Sequence, residues 1–319
     1  MRAPSDHIHL RDITIMDTRP ITPATLAGSV ISVPPLARNA DLTLNHAENA
    51  RLIRYLEAGE VTTLLYGGNA VLNHVSISEY AELLSMLRDA AADVTLVVPS
   101  VGPGFGMMMD QASILRDFEF PTAMLLPTKD VTTNCGIATA TRKFAERFGR
   151  PIVLYLKHDG SVDVDTIQKL QQDGLISWIK YAIVRKNPET DPYLRDIIQA
   201  IGPTQIVSGM GEQPAIIHLR DFGIPGFTSG CVCVAPQLST DMLRAIQARD
   251  FDTAEKIRMQ FRPLENLRDS INPVRVLHAA VQLAGICETG PILPMLSPIE
   301  GTDLKAIEAA AKELLAVPV

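Results

Sequence analysis

Lys180 stands as a lone cation in the run LISWIKYAIVR, with Leu175, Ile176, Trp178 and Ile179 before it and Tyr181, Ala182, Ile183 and Val184 after it. An amine held among such neighbours loses hydration, which disfavours its charged form and lowers its pKa. The neutral amine is a nucleophile that condenses with a carbonyl carbon to give an imine. Tyr155 lies in the preceding apolar run, PIVLYL. A phenol beside a forming imine can carry protons between the carbonyl oxygen, the amine and the substrate carbon. Each residue also has a purely structural reading. The lysine stem can snorkel its ammonium out of a core, and the tyrosine can fill a layer of side chains with its hydroxyl satisfied. Their occurrence together on neighbouring strands favours chemistry.

What must position them is a march of strands and helices. Apolar, β-rich runs begin at Ser29, Thr62, Val94, Thr122, Pro151, Ser177, Thr204 and Gly226, spaced by roughly thirty residues as in successive βαβ units. Between them, Tyr80, Leu83, Leu84 and Leu87 recur at helical spacing, with Ser78 as the expected N-cap. Gly174, Gly202 and Gly223 close three further helical patterns. Eight near-continuous apolar strands, each followed by a helix, predict an α/β fold, a (β/α)8 TIM barrel. An open doubly wound sheet would carry a glycine-rich dinucleotide turn after an early strand, and the nearest candidate, SVGPGFG, lacks the spacing. The barrel is expected over residues 1–236, with 1–28 an N-terminal extension. Residues 237–319 are expected to form a C-terminal helical extension packed on it, from the patterns STDMLRAIQARDFDTAEKIRMQF, NPVRVLHAAVQLAG and TDLKAIEAAAKELL.

The 319 residues are 46% hydrophobic and 20% charged, with a formal charge of -7. That balance, without a basic run, argues against a nucleic-acid surface. No apolar stretch is long enough to span a membrane, and the first twenty residues contain no signal-peptide h-region, so a cytoplasmic protein is expected. Cys135, Cys231, Cys233 and Cys287 have no metal-finger spacing. Cys231 and Cys233 fall two apart in a strand-like run, too close for an easy bridge, and reduced thiols are the simple account. The seven histidines are scattered, and no metal site is expected.

The strands that carry Tyr155 and Lys180 resemble the paired motifs of the dihydrodipicolinate synthase and N-acetylneuraminate lyase family of class I, pyruvate-type aldolases. IVLYL is similar to the family's fifth strand, which ends in a leucine-tyrosine-asparagine pattern, and SWIKYA to its glycine-isoleucine-lysine sixth strand. The likeness continues through QIVSGMGEQPAIIHLRDFGIPGFTSGCVCVAP and GPILPMLSPI, and covers nearly the whole chain from about Ser29. The resemblance implies a covalent imine on Lys180 with no other cofactor, a proton-relay role for Tyr155, and a homo-oligomer, tetramer or dimer.

Departures from the family bear on substrate. Its Gly-Thr-Thr-Gly-Glu turn after the second strand is here Gly67, Gly68, Asn69, Ala70 and Val71. Backbone N–H groups near Gly68 and Asn69 can still hold a carboxylate. The equal alternative is a tight turn needing positive φ at the glycines. The tyrosine pair after the fourth strand and the arginine after the fifth are missing; Lys129 and the cluster Lys157, His158 and Asp159 occupy those loops. Lysine-biosynthetic activity is therefore not expected. Lys157 is a candidate for the far anionic group of a different substrate, His158 for a further acid/base, and Thr228, in FTSG, for substrate binding. Glu212, Arg185 and Lys186 are weaker candidates with capping or solvated-face explanations. The expected activity is that of a Schiff-base lyase, aldolase or dehydratase, acting on a small 2-oxo acid such as pyruvate or a sugar-derived 2-keto acid. The alternative is a barrel that keeps the lysine but serves as a ligand sensor or scaffold.

Overall fold

The computed structural model describes residues 16–318, so most of the expected N-terminal extension lies outside the described residues. Eight strands follow in chain order: β1 (Ile31–Ser32), β2 (Thr63–Leu65), β3 in two segments (Leu96–Val98 and Ser100–Val101), β4 (Met124–Leu125), β5 (Ile152–Leu156), β6 (Ile176–Tyr181), β7 (Ile206–Ser208) and β8 (Thr228–Ser229). Each pairs in parallel with the next from β1 to β7. β8 pairs with β1, and a parallel bridge joins Ser208 of β7 to Phe227 at the foot of β8. The pairings thus pass round a complete ring, and the fold is the (β/α)8 TIM barrel. β3 is split because Pro99 has no N–H to give a ladder. The Pro99 carbonyl still accepts from the Met124 amide at 2.9 Å, so the second segment carries the pairing on to β4.

Strands in such a ring have side chains in the barrel on one face and helices on the other, which leaves no face for water. β2, β7 and both segments of β3 are accordingly buried at every position. Helix α1 (Pro23–Gly28) precedes β1. Then α2 (His46–Ala58), α3 (Ile77–Ala90), α4 (Phe105–Leu115), α5 (Asn134–Phe148), α6 (Val164–Gln172), α7 (Pro192–Ile201), α8 (Ala215–Phe222) and α9 (Pro236–Gln247) follow the eight strands in turn. Asn45, Thr133, Asp163 and Asp191 cap four of these with side-chain oxygens, and Gly202 and Gly223 close α7 and α8. The cap of α3 is Ser76, not Ser78: its Oγ accepts from the Glu79 amide at 3.2 Å. An N-cap oxygen must reach the N–H two or three residues on, and apolar periodicity does not say which of two nearby serines does so.

After β8 the chain turns at Gly230 into a 3-10 turn, Cys231–Cys233. These cysteines are therefore not on a strand, as their β-rich surroundings suggested. The Ser229 hydroxyl accepts from the Val232 amide at 3.0 Å and the Gly230 carbonyl from the Cys233 amide at 3.0 Å, and these bonds curl the chain before the strand can continue. Both thiols are free and buried. Three more helices complete the chain: α10 (Phe251–Ser270), α11 (Pro273–Leu283) and α12 (Gly301–Leu315). α10 runs through Pro263 and on for two turns beyond Phe261, where the sequence pattern ends. Pro263 lies on the exposed side, so the hydrogen bond it cannot make is lost towards water. α10 packs on α8, α9 and the Cys231–Cys233 turn, which brings its inner face to the barrel mouth. No helix among the described residues is long and apolar enough to cross a membrane.

Candidate active site

Tyr155 and Lys180 are direct partners in the β5–β6 register, so both point the same way. That way is inward, where both line a cavity of about 740 Å³ built from residues at and beyond the strand ends. The next residue, Tyr181, points outward into the helix layer and donates its hydroxyl to Asp191 Oδ2 at 2.6 Å. Trp178, two before Lys180 and on its face by strand alternation, is fully buried. Lys180 is only 5% exposed. Its stem has room because residue 209 is glycine: a Cβ there would stand 3.0 Å from Lys180 Cγ, 2.8 Å from the Tyr181 carbonyl oxygen and 2.7 Å from Ala182 Cβ.

Burial, with the positive charges of Lys157 and Arg268 adding to it, lowers the Lys180 pKa from 10.5 to about 7. A drop of that size corresponds to roughly 5 kcal/mol against the charged form. Nζ lies over the Tyr155 ring, 4.7 Å from its centroid, and such a contact returns only ~0.5–2 kcal/mol to the cation. Desolvation wins, and about half of the amine is neutral near pH 7. Burial pushes the Tyr155 hydroxyl the other way, up to about 12, so it holds its proton at neutral pH. The site thus pairs an amine that can attack with a phenol that can donate.

Gly68, Asn69, Lys157 and Thr228 line the same cavity as Tyr155 and Lys180. The turn after β2 is a 3-10 turn over Gly68–Ala70, and its positive φ falls on Val71, at 56°, rather than on the glycines. A Cβ at Gly67 would approach Met124 Cε to 2.8 Å and Ser100 Oγ to 3.1 Å, so a side chain there would displace the methionine tip. Asn69 Nδ2 donates to the Val33 carbonyl at 2.8 Å, which ties the turn to the end of β1. Lys129, His158 and Lys186 do not reach the cavity. Arg185 lies at its rim, but Asp159 and Asp191 hold it at 2.6 and 2.9 Å.

Glu212 is not a solvated cap. It is fully buried behind the cavity wall, where Ser229 and Ser239 donate to its two oxygens at 2.8 and 2.7 Å. Its own amide donates to Glu265 Oε1 on α10 at 2.9 Å. Sequence reasoning missed Glu265 and Arg268. Arg268 reaches the cavity from α10; its Nε donates to the Pro273 carbonyl at 3.2 Å and its Nη1 lies 3.9 Å from Cys231 Sγ. The available signal was positional: Glu265 and Arg268 share the helical stripe of Phe261 and Leu264, so two charges fall on an apolar face. Among the described residues, no group of three or more His, Cys, Asp or Glu side chains is arranged to hold a metal ion.

No protein-family model matches the chain. It is 22% identical over 290 residues to a Streptomyces coelicolor protein named "Probable 5-dehydro-4-deoxyglucarate dehydratase 2", covering 88% of each chain. It is 25% identical over 279 residues to the 4-hydroxy-tetrahydrodipicolinate synthase of Methanopyrus kandleri, covering 85% of this chain and 80% of the relative. Among solved structures it superposes on YagE, a prophage protein of the dihydrodipicolinic acid synthase family from E. coli K12 in complex with pyruvate. The TM-score is 0.78 at 17% identity, over 90% of this chain and 98% of that one. The likeness to relatives and solved structures is at low identity throughout, and the TM-scores of the structural neighbours, several of them dihydrodipicolinate synthases, show that the fold is shared with them.

Proposed function

We propose that this chain is a divergent member of the dihydrodipicolinate synthase family and a Schiff-base lyase acting on a 2-oxo acid. The observation that carries the reading is Lys180: a buried amine with its pKa lowered to about 7, at the wall of a cavity and beside a protonated tyrosine. Its neutral nitrogen attacks the ketone carbon to give a carbinolamine. Tyr155 donates a proton to the departing hydroxyl, which leaves as water, and the nitrogen and carbon remain joined as an iminium. That iminium accepts the electron pair released when a bond at the neighbouring carbon breaks, and holds it as an enamine. When that bond is a carbon–carbon bond the reaction is an aldol cleavage. When it is a C–H bond, whose proton is removed, the enamine returns its pair to expel a hydroxyl from the next carbon, which takes up a proton and leaves as water, and the reaction is a dehydration. In this reading amides near Gly68 and Asn69 would hold the carboxylate, Thr228 would contact the substrate, and Lys157, just past the end of β5, would meet a polar or anionic far end; all four line the cavity. The dehydratase and synthase names of its curated relatives, and pyruvate in the YagE complex, support this class.

Borohydride reduction in the presence of a panel of 2-oxo acids tests the proposal. The expected result is a stable mass increase that maps to Lys180 and is absent from Lys180→Ala. Failure of every 2-oxo acid to label Lys180, with the protein folded, would overturn it, and a non-catalytic binding barrel would then be the better account. Product analysis with compounds that label separates water loss from cleavage.

A further inference from the structure

The turn after β2 offers a carboxylate only amides, and the cavity holds a cation better placed to do more. Arg268 Nη2 has no hydrogen-bond partner among the described residues, while Nε and Nη1 of the same guanidinium are held by the Pro273 carbonyl and Cys231 Sγ. Neither Arg268 nor Lys157 forms an ion pair among the described residues, whereas Arg258 and Glu255, at the same mouth, pair with each other at 2.6 Å. The guanidinium packs against Gly230. A Cβ there would meet Arg268 Nη2 at 2.8 Å, Arg268 Cζ at 2.9 Å and Asn69 Nδ2 at 3.0 Å. Gly230 has ordinary helical torsions, φ -88° and ψ -41°, so its backbone does not require glycine. The missing side chain lets a guanidinium from α10 and an amide from the β2 turn close side by side over that backbone. Both line the cavity that holds Lys180.

We infer that Arg268, with Asn69, is the anchor for the carboxylate of the 2-oxo acid, on the cavity side of the point where guanidinium and amide meet over Gly230. The inference rests on the imine reading and deepens it. The C-terminal extension supplies the charge that the β2 turn lacks, and the bond is of the charge-assisted kind that an arginine makes well. Arg268 also acts on Lys180 through space, so an anion at Arg268 would partly cancel that field once bound.

The test compares two ketones that differ in charge, pyruvate and its neutral ester methyl pyruvate, by borohydride trapping mapped to Lys180. The measured quantity is the ratio of their half-saturating concentrations. Any general effect of the substitution on Lys180 reactivity cancels in that ratio. In Arg268→Met the ratio should shift against pyruvate by roughly tenfold to a hundredfold, with methyl pyruvate still labelling Lys180, which also certifies the fold. Arg268→Lys, which keeps the charge and loses the fork, should fall between. If Arg268→Met labels with neither ketone, the ratio in Arg268→Lys decides. An unaltered ratio would overturn the anchor and leave the imine standing; failure of the wild-type protein to trap either ketone would overturn both.

Discussion

At Lys180 the influences on the amine differ in kind. Burial, the largest, belongs to the barrel interior and cannot be removed by a point change without damage. The field of Lys157 is separable, because that side chain is exposed at the rim. The neutral fraction of an amine rises with pH through its pKa, so trapping should climb through about pH 7 and level off above it. Removing a nearby cation makes the ammonium easier to form, which raises the pKa. Lys157→Met should therefore move the midpoint upward, by less than burial has moved it down. An upward move of half a unit to one unit would lower the neutral fraction at pH 7 by roughly two- to five-fold. The plateau with methyl pyruvate, which needs no charge partner, should stay where it was. A midpoint that does not move, or moves down, would mean that Lys157 does not act on the amine.

The elements that carry the site differ in how openly the sequence declares them. The strands are legible because burial on both faces forces continuous apolar runs, and a charged residue inside such a run, as at Lys180, stands out against them. α10 is not legible past Phe261, because a proline reads as a helix end, and nothing local shows that Pro263 faces water and is tolerated. The two turns beyond it carry Glu265 and Arg268, which is why these two residues were hidden and the amine was not. Cys231 and Cys233 misled for the opposite reason: their neighbours are β-formers, but the hydroxyl of Ser229 captures the Val232 amide and turns the chain. The reason for Gly209 is spatial, and no local pattern shows it. Gly209→Ala would press a methyl group against Lys180 Cγ, the Tyr181 carbonyl and Ala182 Cβ. Two of those are fixed by the backbone, so the strand end must shift, at a cost of ~1–3 kcal/mol. The expected result is a lower Tm together with loss of trapping by pyruvate and methyl pyruvate alike. Retention of full trapping would show that the lysine stem does not depend on that space.

For the molecule as a whole, the question is how a helical extension is fixed to the barrel closely enough to contribute to its site. α10 meets the end of β7 through a carboxyl pair. Gly211, with φ +82°, has no room for a side chain because a Cβ would fall 2.0 Å from Glu265 Oε1. Glu212 is supplied with two serine hydroxyl donors, which suit a carboxylate, while Glu265 Oε2 has no partner. Burial, with the charge of Glu212 added to it, holds the Glu265 pKa well above the usual glutamate range, so Glu265 is the member that keeps a proton. In the unfolded chain it ionises near 4.5. Between that value and the raised one the folded state binds the extra proton, and stability present at lower pH is lost as pH rises through the folded pKa. One such proton corresponds to roughly 1.4 kcal/mol for each pH unit in that window. Glutamine at 265 keeps an oxygen for the Glu212 amide and has no proton to lose. Glu265→Gln should therefore melt close to the wild-type protein at pH 5 and increasingly above it towards pH 8, by a few degrees. A difference in Tm that stays flat across that range would mean that Glu265 ionises as an ordinary glutamate, and that the extension is seated on the barrel by packing alone.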